Sequence, residues 1–139
     1  MVNSAIVAGP TSRPITSAGI SSTTAKPDRS SGEVAIADEY NNRVQIFDLQ
    51  GNFKRKSGSR GEEDGQFRHA DSLASDAYGN ILVTDFNTSR LQVFNSKGEH
   101  LCTCSDLGLK RNGSKGLAWG ALGQLAVANG NAHGVRVWY

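Results

Sequence analysis

Short apolar runs, each opened by a glycine, recur along the chain at a nearly constant spacing. They read GEVAIAD (32–38), GNILVTD (79–85) and GQLAVAN (123–129), and their glycines lie 47 and 44 residues apart. Runs of this length that are partly β-branched and bounded by glycine or asparagine predict β-strands. Their apolar residues are nearly continuous instead of alternating with polar ones, which predicts strands buried on both faces.

Each of these strands is followed by further short runs of the same kind. A polar turn leads to a second strand, a glycine turn to a third, and a loop to a fourth. These later runs are RVQIFDL (43–49), RLQVFNS (90–96), VRVWY (135–139), FKRKSGS (53–59), HLCTCSD (100–106), DSLASD (71–76) and KGLAWG (115–120). None of them has a helical period. Four short strands repeated every 40–50 residues or so are typical of the blades of a β-propeller.

We therefore expect an all-β fold: a partial β-propeller of four-stranded antiparallel blades, with about two complete blades plus partial ones. The sequence divides into residues 1–31, a Ser/Thr-rich linker or degraded blade, and three repeats over 32–78, 79–122 and 123–139, the last truncated. Complete four-stranded sheets are predicted within the first two repeats. The last strand ends on Trp138 and Tyr139, and these uncovered apolar groups predict a weakly stable or self-associating chain.

An Asp–Arg pair recurs at the turn between the first and second strands of two repeats. Asp38 and Arg43 correspond to Asp85 and Arg90 at an offset of 47 residues. The two side chains flank one hairpin and can pair across it or reach the next blade, and a shielded Arg–carboxylate pair fixes geometry as well as adding energy. We interpret these residues as structural. The alternative is a polar rim that binds a ligand.

Three motifs give the chain a resemblance to a known family. The runs DEYNNRVQIF (38–47), GEEDGQF (61–67) and GNILVTD (79–85) resemble NHL repeats, and the resemblance covers residues 32–139. The chain departs from the family pattern at Ala70, where the family usually has proline, and at Asn129 and Gly134, which replace the repeated Asp and Arg. The second copy also lacks the GQF run.

The resemblance implies a fold, a function and partners. NHL propellers usually close with about six blades, so further blades of the same or another chain are expected to complete the ring. The implied function is a non-enzymatic recognition module that binds a protein target, or RNA, as the target-selecting part of a TRIM-type E3 ubiquitin ligase whose RING domain lies outside this chain. A metal-dependent propeller lyase or hydrolase and a structural scaffold propeller are the alternatives.

Basic residues recur near equivalent places in two repeats. A basic rim of this kind could bind RNA phosphates, although a solvated edge strand whose lysines prevent pairing is the simpler explanation. The candidate residues are Lys54, Lys56, Arg60, Arg68, Lys110 and Arg111.

Composition adds few constraints. With 15 basic and 13 acidic residues the net charge is +2, too small to imply a nucleic-acid partner by itself. No apolar run is long enough for a transmembrane helix, and the start does not resemble a secretory signal. Cys102 and Cys104 are too few for a disulfide framework, which favours half-buried thiols and a cytoplasmic location. The three histidines have no short metal-ligand spacing, so neither a metal nor a cofactor is expected.

Overall fold

The computed structural model describes residues 2–8, 21–22, 32–76, 78–105, 107–108, 114–120, 122–130 and 133–138. Over these residues the regular structure consists of β-strands and short 3-10 turns, such as the one at Glu39–Asn41. No helix in this part of the chain has the length and apolar character needed to cross a membrane. The all-β class predicted from the sequence is therefore confirmed.

The first sheet has five strands. In chain order they are β1 (Val2–Ala8), β2 (Ser21–Ser22), β3 (Glu33–Asp38), β4 (Arg43–Asp48) and β5 (Phe53–Ser57). Their spatial order is β2-β1-β3-β4-β5, with β1 and β2 parallel and all other neighbours antiparallel. Strands β1, β3, β4 and β5 thus form one four-stranded antiparallel blade, and no helix interrupts residues 43–59.

A short parallel bridge links the first sheet to the second. It consists of β6 (Ser59–Arg60) and β7 (Gln66–Phe67). The second sheet then runs β11-β10-β9-β8, with β8 (Ala70–Ser75), β9 (Ile81–Asp85), β10 (Arg90–Phe94) and β11 (His100–Cys104). The third runs β12-β13-β14, with β12 (Ser114–Trp119), β13 (Leu125–Asn129) and β14 (Gly134–Trp138).

The grouping of strands into sheets differs from the sequence prediction at two strands, residues 71–76 and residues 115–120. The second of these, predicted to complete the sheet of the second repeat, corresponds to β12 and pairs with β13 in the third sheet, for example Leu117 with Val127. We predicted that residues 71–76 complete the sheet of the first repeat, but β8 pairs with β9, for example Leu73 with Val83. The link from β8 to β9 is a tight turn, and such a turn joins antiparallel neighbours, whereas a long loop separates β8 from β5. The first sheet takes its fourth antiparallel strand from β1 instead, within the 1–31 segment.

The same turn chemistry repeats at three strand connections. Asp48, Asp76 and Asn95 each accept, through one side-chain oxygen, the backbone N–H groups two and four residues further on, at 2.8–3.0 Å. Asp and Asn favour turns because of this bond to the following backbone. At Asp48 the hydrogen bonds from Asn52 lower the pKa of the carboxyl group.

Two apolar clusters join the three sheets. The first lies between the first and second sheets: Ala35, Ala37, Val44, Ile46, Phe67, Ala70, Leu73, Ile81, Val83 and Phe94. The second lies between the second and third sheets: Ala74, Leu82, Leu91, Leu117, Leu125 and Val127, with Trp119 and Trp138 packed against it. The central sheet is covered on both faces, so every residue of β9 is buried, as its continuous apolar run predicted. The same prediction is wrong for β3 and β13, which contain half-buried as well as buried residues because one face of each outer sheet has no described sheet packed against it. Trp138 is part of this packing and is not the uncovered group that we expected. Tyr139 lies outside the described residues.

Candidate functional site

The second copy of the Asp–Arg pair lies deep between the first two sheets. Asp85 is fully buried, and its carboxylate accepts the backbone N–H groups of Arg68 at 2.9 Å and His69 at 3.1 Å. Arg90 Nη2 lies 3.5 Å from Asp85 Oδ2. The carboxylate therefore fixes the chain that enters β8, and the arginine supplies the opposing charge.

Arg90 and Gln92 together hold the GEEDGQF segment. The Arg90 guanidinium donates to the carbonyl oxygens of Glu62 and Gln66, the latter at 3.0 Å. The Gln92 side chain, which is fully buried, accepts the N–H of Gly65 at 2.8 Å and donates to the Gln66 carbonyl at 2.6 Å. Since these partners are backbone groups, the side chains of Arg90 and Gln92 in β10 hold the backbone of the GEEDGQF segment in one conformation.

The result of this clamp is the insertion of one aromatic ring between the sheets. Phe67 is fully buried, with its ring centroid 5.7 Å from that of Phe94. Gly58 has φ +91°, and a Cβ there would lie 2.5 Å from the Phe67 ring. Glycine is therefore required at position 58, both for the left-handed backbone and for the close approach of the ring.

The first copy of the pair stays within its own hairpin. Asp38 and Arg43 face each other across β3 and β4, and Arg43 Nε donates to Asp38 Oδ2 at 2.9 Å. Asn41 and Gln45 also donate to this carboxylate, at 2.8 and 3.0 Å. Burial by itself raises the pKa of Asp38, but the hydrogen bonds from Asn41 and Arg43 and the charge of Arg43 outweigh it, so that the pKa is lowered.

The structure places the candidate basic residues on different elements. Lys54 and Lys56 are exposed on β5, the outer edge of the first sheet, and Arg55 between them is bound instead by Glu33 through two bonds of 2.8 and 2.6 Å. Arg60 is exposed at the end of β6, and Arg68 is exposed directly after β7 and pairs with Glu62 at 3.0 Å. Lys110 and Arg111 lie outside the described residues.

A group that sequence reasoning missed lies between the first two sheets. Glu39, His69 and Asp71 each offer one ligand atom, and these atoms lie within 4.8 Å of one another. His69 Nε2 contacts Glu39 Oε1 directly. The short spacing of His69 and Asp71 is visible in the sequence, and so is the departure from the repeat at Glu39, whose counterpart 47 residues later is Phe86. The distance of 30 residues between Glu39 and His69 conceals their contact.

The two cysteines occupy the outer strand of the second sheet. Cys102 is exposed and Cys104 half-buried, and both are free thiols. Partial burial of the sulfur and the neighbouring Cys104 raise the pKa of Cys102. A raised pKa disfavours the thiolate, which is the form that reacts and binds metals.

The third sheet carries apolar side chains on the face turned away from the second sheet. A groove of about 290 Å³ is lined there by Gly116, Leu117, Ala118, Ala126, Ala128 and Val135. Val135 and Val137 are 66% and 47% exposed. An apolar groove beside exposed valines has the character of a protein contact surface.

Comparison with known proteins places the chain among NHL-repeat proteins. It is 32% identical to NHL-repeat-containing protein 4 of Mus musculus over 108 residues, which are 77% of this chain and 74% of the mouse protein. It is 35% identical to Protein brain tumor of Drosophila melanogaster over 69 residues, which are 48% of this chain and only 7% of the fly protein. No family model matches.

A solved structure supports the fold alone. A protein of unknown function from Bacteroides caccae superposes with a TM-score of 0.55 at 22% identity, covering 81% of this chain and 39% of the bacterial chain. The sheets described above are thus blades of a partial propeller. By its likeness to the mouse protein, the chain belongs to the NHL-repeat family, whose propellers are in general binding modules for proteins or RNA.

Proposed function

We propose that this chain is the non-enzymatic, target-selecting part of a TRIM-type E3 ubiquitin ligase, and that its target is a protein in the cytoplasm. The NHL membership and the resemblance of residues 38–47 to the C-terminal repeats of such ligases support the proposal. Ligase chemistry would belong to a RING domain outside these residues. The free thiols of Cys102 and Cys104 fit a reducing compartment.

The observation that carries the proposal is the apolar face of the third sheet. In the second sheet, the corresponding face is buried against the next blade by Leu82 and Leu91. In the third, Ala126 and Val135 take those two places in the register, and Val135 is largely exposed. A surface equivalent to a blade-to-blade contact is suited to receive either a further blade or a protein segment with apolar side chains.

The outer face of the first sheet offers the complementary half of such a contact. Val34, Ile36 and Phe47 are half-buried there, and their counterparts 47 residues later, Ile81, Val83 and Phe94, receive the preceding blade. A second copy of the chain could therefore join head to tail, third sheet onto first sheet. Heterologous contacts of this kind close into rings when the rotation allows, and two copies would supply six sheets.

Site-specific crosslinking tests whether this face binds a protein. A photo-crosslinking amino acid is introduced in place of Val137 in the full chain, expressed in cells, and the adducts are identified by mass spectrometry. The matched control replaces Tyr78, which is 86% exposed on the second sheet. We expect one discrete protein adduct from position 137 and none from position 78. A ligase role further requires that this partner carry ubiquitin that disappears on Val135→Asp/Val137→Asp substitution. Equal, unselective labelling from both positions would contradict the proposal.

RNA binding is the second candidate, favoured by the exposed Lys54 and Lys56 on the first sheet's outer edge. Fluorescence anisotropy with a single-stranded RNA, at two salt concentrations, separates it from protein binding. If RNA is the ligand, affinity falls as salt rises and falls further on Lys54→Glu/Lys56→Glu substitution, since phosphate contacts release counterions. The matched control is Lys97→Glu, an exposed lysine in a turn of the second sheet.

A further inference from the structure

The group formed by Glu39, His69 and Asp71 joins two sheets at one end of their contact. Glu39 lies in the 3-10 turn directly after β3 of the first sheet. His69 precedes β8 of the second sheet, and Asp71 lies in that strand. One ligand atom from each residue lies within 4.8 Å of the other two, a separation that one metal ion with bonds of about 2.0–2.2 Å can span after small side-chain movements.

Burial makes this group electrostatically demanding. Glu39 is 7% exposed and Asp71 is 8% exposed, so two carboxylates are almost entirely removed from water. Buried charges are stabilised by paired partners or by metal coordination. The imidazole of His69 contacts Glu39, and Asp71 accepts a hydrogen bond of 3.3 Å from the hydroxyl of Ser72. A single imidazole can supply at most one positive charge against two carboxylates.

The group is also not part of the repeated architecture. The counterpart of Glu39 in the second repeat is Phe86, at the same offset of 47 residues. Strand β12 matches β8 through the pairings of Leu73 with Val83 and Leu117 with Val127, which makes Lys115 the counterpart of Asp71. A buried acid that only one repeat carries is not explained by blade packing, because the other repeat packs without it.

Two contacts fix the position of His69, one made by its ring and one by its backbone. Its ring centroid lies 5.2 Å from that of Phe86, and its backbone N–H donates to the buried carboxylate of Asp85. Its side chain is 25% exposed, which leaves a path from solvent to the group. A positioned imidazole beside two carboxylates, open on one side, is the donor set of a four-coordinate site with water as the fourth ligand.

We propose that Glu39, His69 and Asp71 bind one divalent transition-metal ion, with Zn²⁺ as the best match to an imidazole and two carboxylates. The ion neutralises the two buried acids and bridges the first and second sheets. This is a binding site that stabilises the stack, independent of the protein-binding face on the third sheet. No reaction is assigned to it.

Isothermal titration of the full chain with Zn²⁺ tests the site. The titration uses the Cys102→Ser/Cys104→Ser background, since thiolates also bind zinc. We expect one ion per chain, a rise of the melting temperature with Zn²⁺, and no comparable effect of Mg²⁺ at the same concentration. His69→Gln and Asp71→Asn should each weaken binding by about tenfold or more. His133→Gln, at an exposed histidine in the turn before β14, is the matched control and should leave the affinity unchanged.

Two results would overturn the proposal. One is the absence of stoichiometric binding to the folded chain, established by circular dichroism of the same sample. The other is an affinity that His69→Gln and Asp71→Asn leave unchanged while His133→Gln lowers it. Should a variant unfold, the Hε1 and Hδ2 resonances of His69 in the unsubstituted chain give the same information. They must shift on addition of Zn²⁺ if the site exists, and they stay in place if it does not.

Discussion

The hairpin β3–β4 and the hairpin β9–β10 carry the same Asp, Arg and Gln 47 positions apart and use them differently. In the first, Arg43 bonds to Asp38 across the turn, and its side chain remains 33% exposed. In the second, Arg90 is 11% exposed and turns to the carbonyl groups of residues 62–66. The sequence positions are equivalent, but the second hairpin packs against the first sheet on that face, whereas Asp38, Arg43 and Gln45 of the first hairpin bond to one another.

The difference shows what the repeated residues are for. Asp85, Arg90 and Gln92 each bind backbone groups of the connection that enters their blade. Asp38, Arg43 and Gln45 bond to one another instead. In the second hairpin the repeated residues therefore bind the connection from the preceding blade. In the first hairpin the same set of polar groups lies on the outer face of the first sheet. Four experiments test this comparison, ordered from the largest expected effect to the smallest.

Removal of the Phe67 ring, which packs against the β9–β10 hairpin, should have the largest effect on stability. Phe67→Ala deletes a fully buried side chain from the first cluster, and such deletions cost about 3–5 kcal/mol of unfolding free energy. Urea denaturation measures it. Tyr78→Ala, at an exposed aromatic, should change stability by about 0.5 kcal/mol or less. If the alanine variant does not fold, Phe67→Leu should cost about 1 kcal/mol. A loss for Phe67→Ala equal to that of Tyr78→Ala would show that the ring is not part of the core.

Substitution of the two arginines should change the unfolding free energy by different amounts in the same urea assay. Arg90→Ala leaves the buried Asp85 carboxylate without its opposing charge and should cost about 3 kcal/mol. Arg43→Ala should cost about 1 kcal/mol, because its pair is partly solvated. If Arg43→Ala stays within about 0.5 kcal/mol of the unsubstituted chain, the level of an ordinary surface change, the first pair is not structural. Equal losses at both positions would remove the distinction between the hairpins.

The two glutamines provide a smaller version of the same contrast. Gln92→Ala leaves the N–H of Gly65 and one bond to the Gln66 carbonyl unsatisfied in a buried place, which should cost about 2 kcal/mol. Gln45→Ala removes one of three donors to Asp38 and should cost about 0.5 kcal/mol. Hydrogen exchange at Gly65 offers a second measurement, since its amide should exchange faster in Gln92→Ala and at an unchanged rate in Gln45→Ala.

The smallest effect is a pH dependence assigned to Asp38. The pKa of this carboxyl is lower in the folded chain than in the unfolded one, so the unfolded chain binds the proton first. The resulting stability is complete above about pH 4, the unfolded value, and is lost as the pH falls through the folded pKa. In Asp38→Asn this part of the slope should disappear, while Asp48→Asn keeps it and loses only the separate part that belongs to the lowered pKa of Asp48. A slope that Asp38→Asn leaves unaltered would assign the effect to other carboxylates.

Part of the fold and of the site could be read from the sequence. The strands over 43–59, the turns at Asp48 and Asn95, and the antiparallel blades follow from local spacing, because a turn residue and its partners lie within four positions. The grouping of β8 with β9 could not be read in the same way. Strand 71–76 follows one repeat and precedes the next, and its neighbours in sequence do not state which of the two it joins.

For the basic residues too, the sequence predicts some features of the structure and not others. The alternation along FKRKS predicted that Lys54 and Lys56 share a face that Arg55 does not, and their exposure agrees with it. The salt bridge of Arg55 with Glu33 connects residues 22 positions apart, and β4 lies between their strands. No local sequence pattern predicts this salt bridge. Whether Lys54, Lys56, Arg60 and Arg68 bind a ligand together stays a prediction.

The sequence by itself determined the repeat, its period, the strands of each repeat and the position of Asp38 and Arg43 on either side of one turn, since all of these depend on residues close together in the chain. Only the tertiary structure decided that Arg90 and Gln92 bind a connection about 24–28 residues away and that Glu39 meets His69. The physical reason is that burial and pairing are set by which surfaces pack together. Two copies of one sequence motif therefore make different contacts when a neighbouring blade covers only one of them.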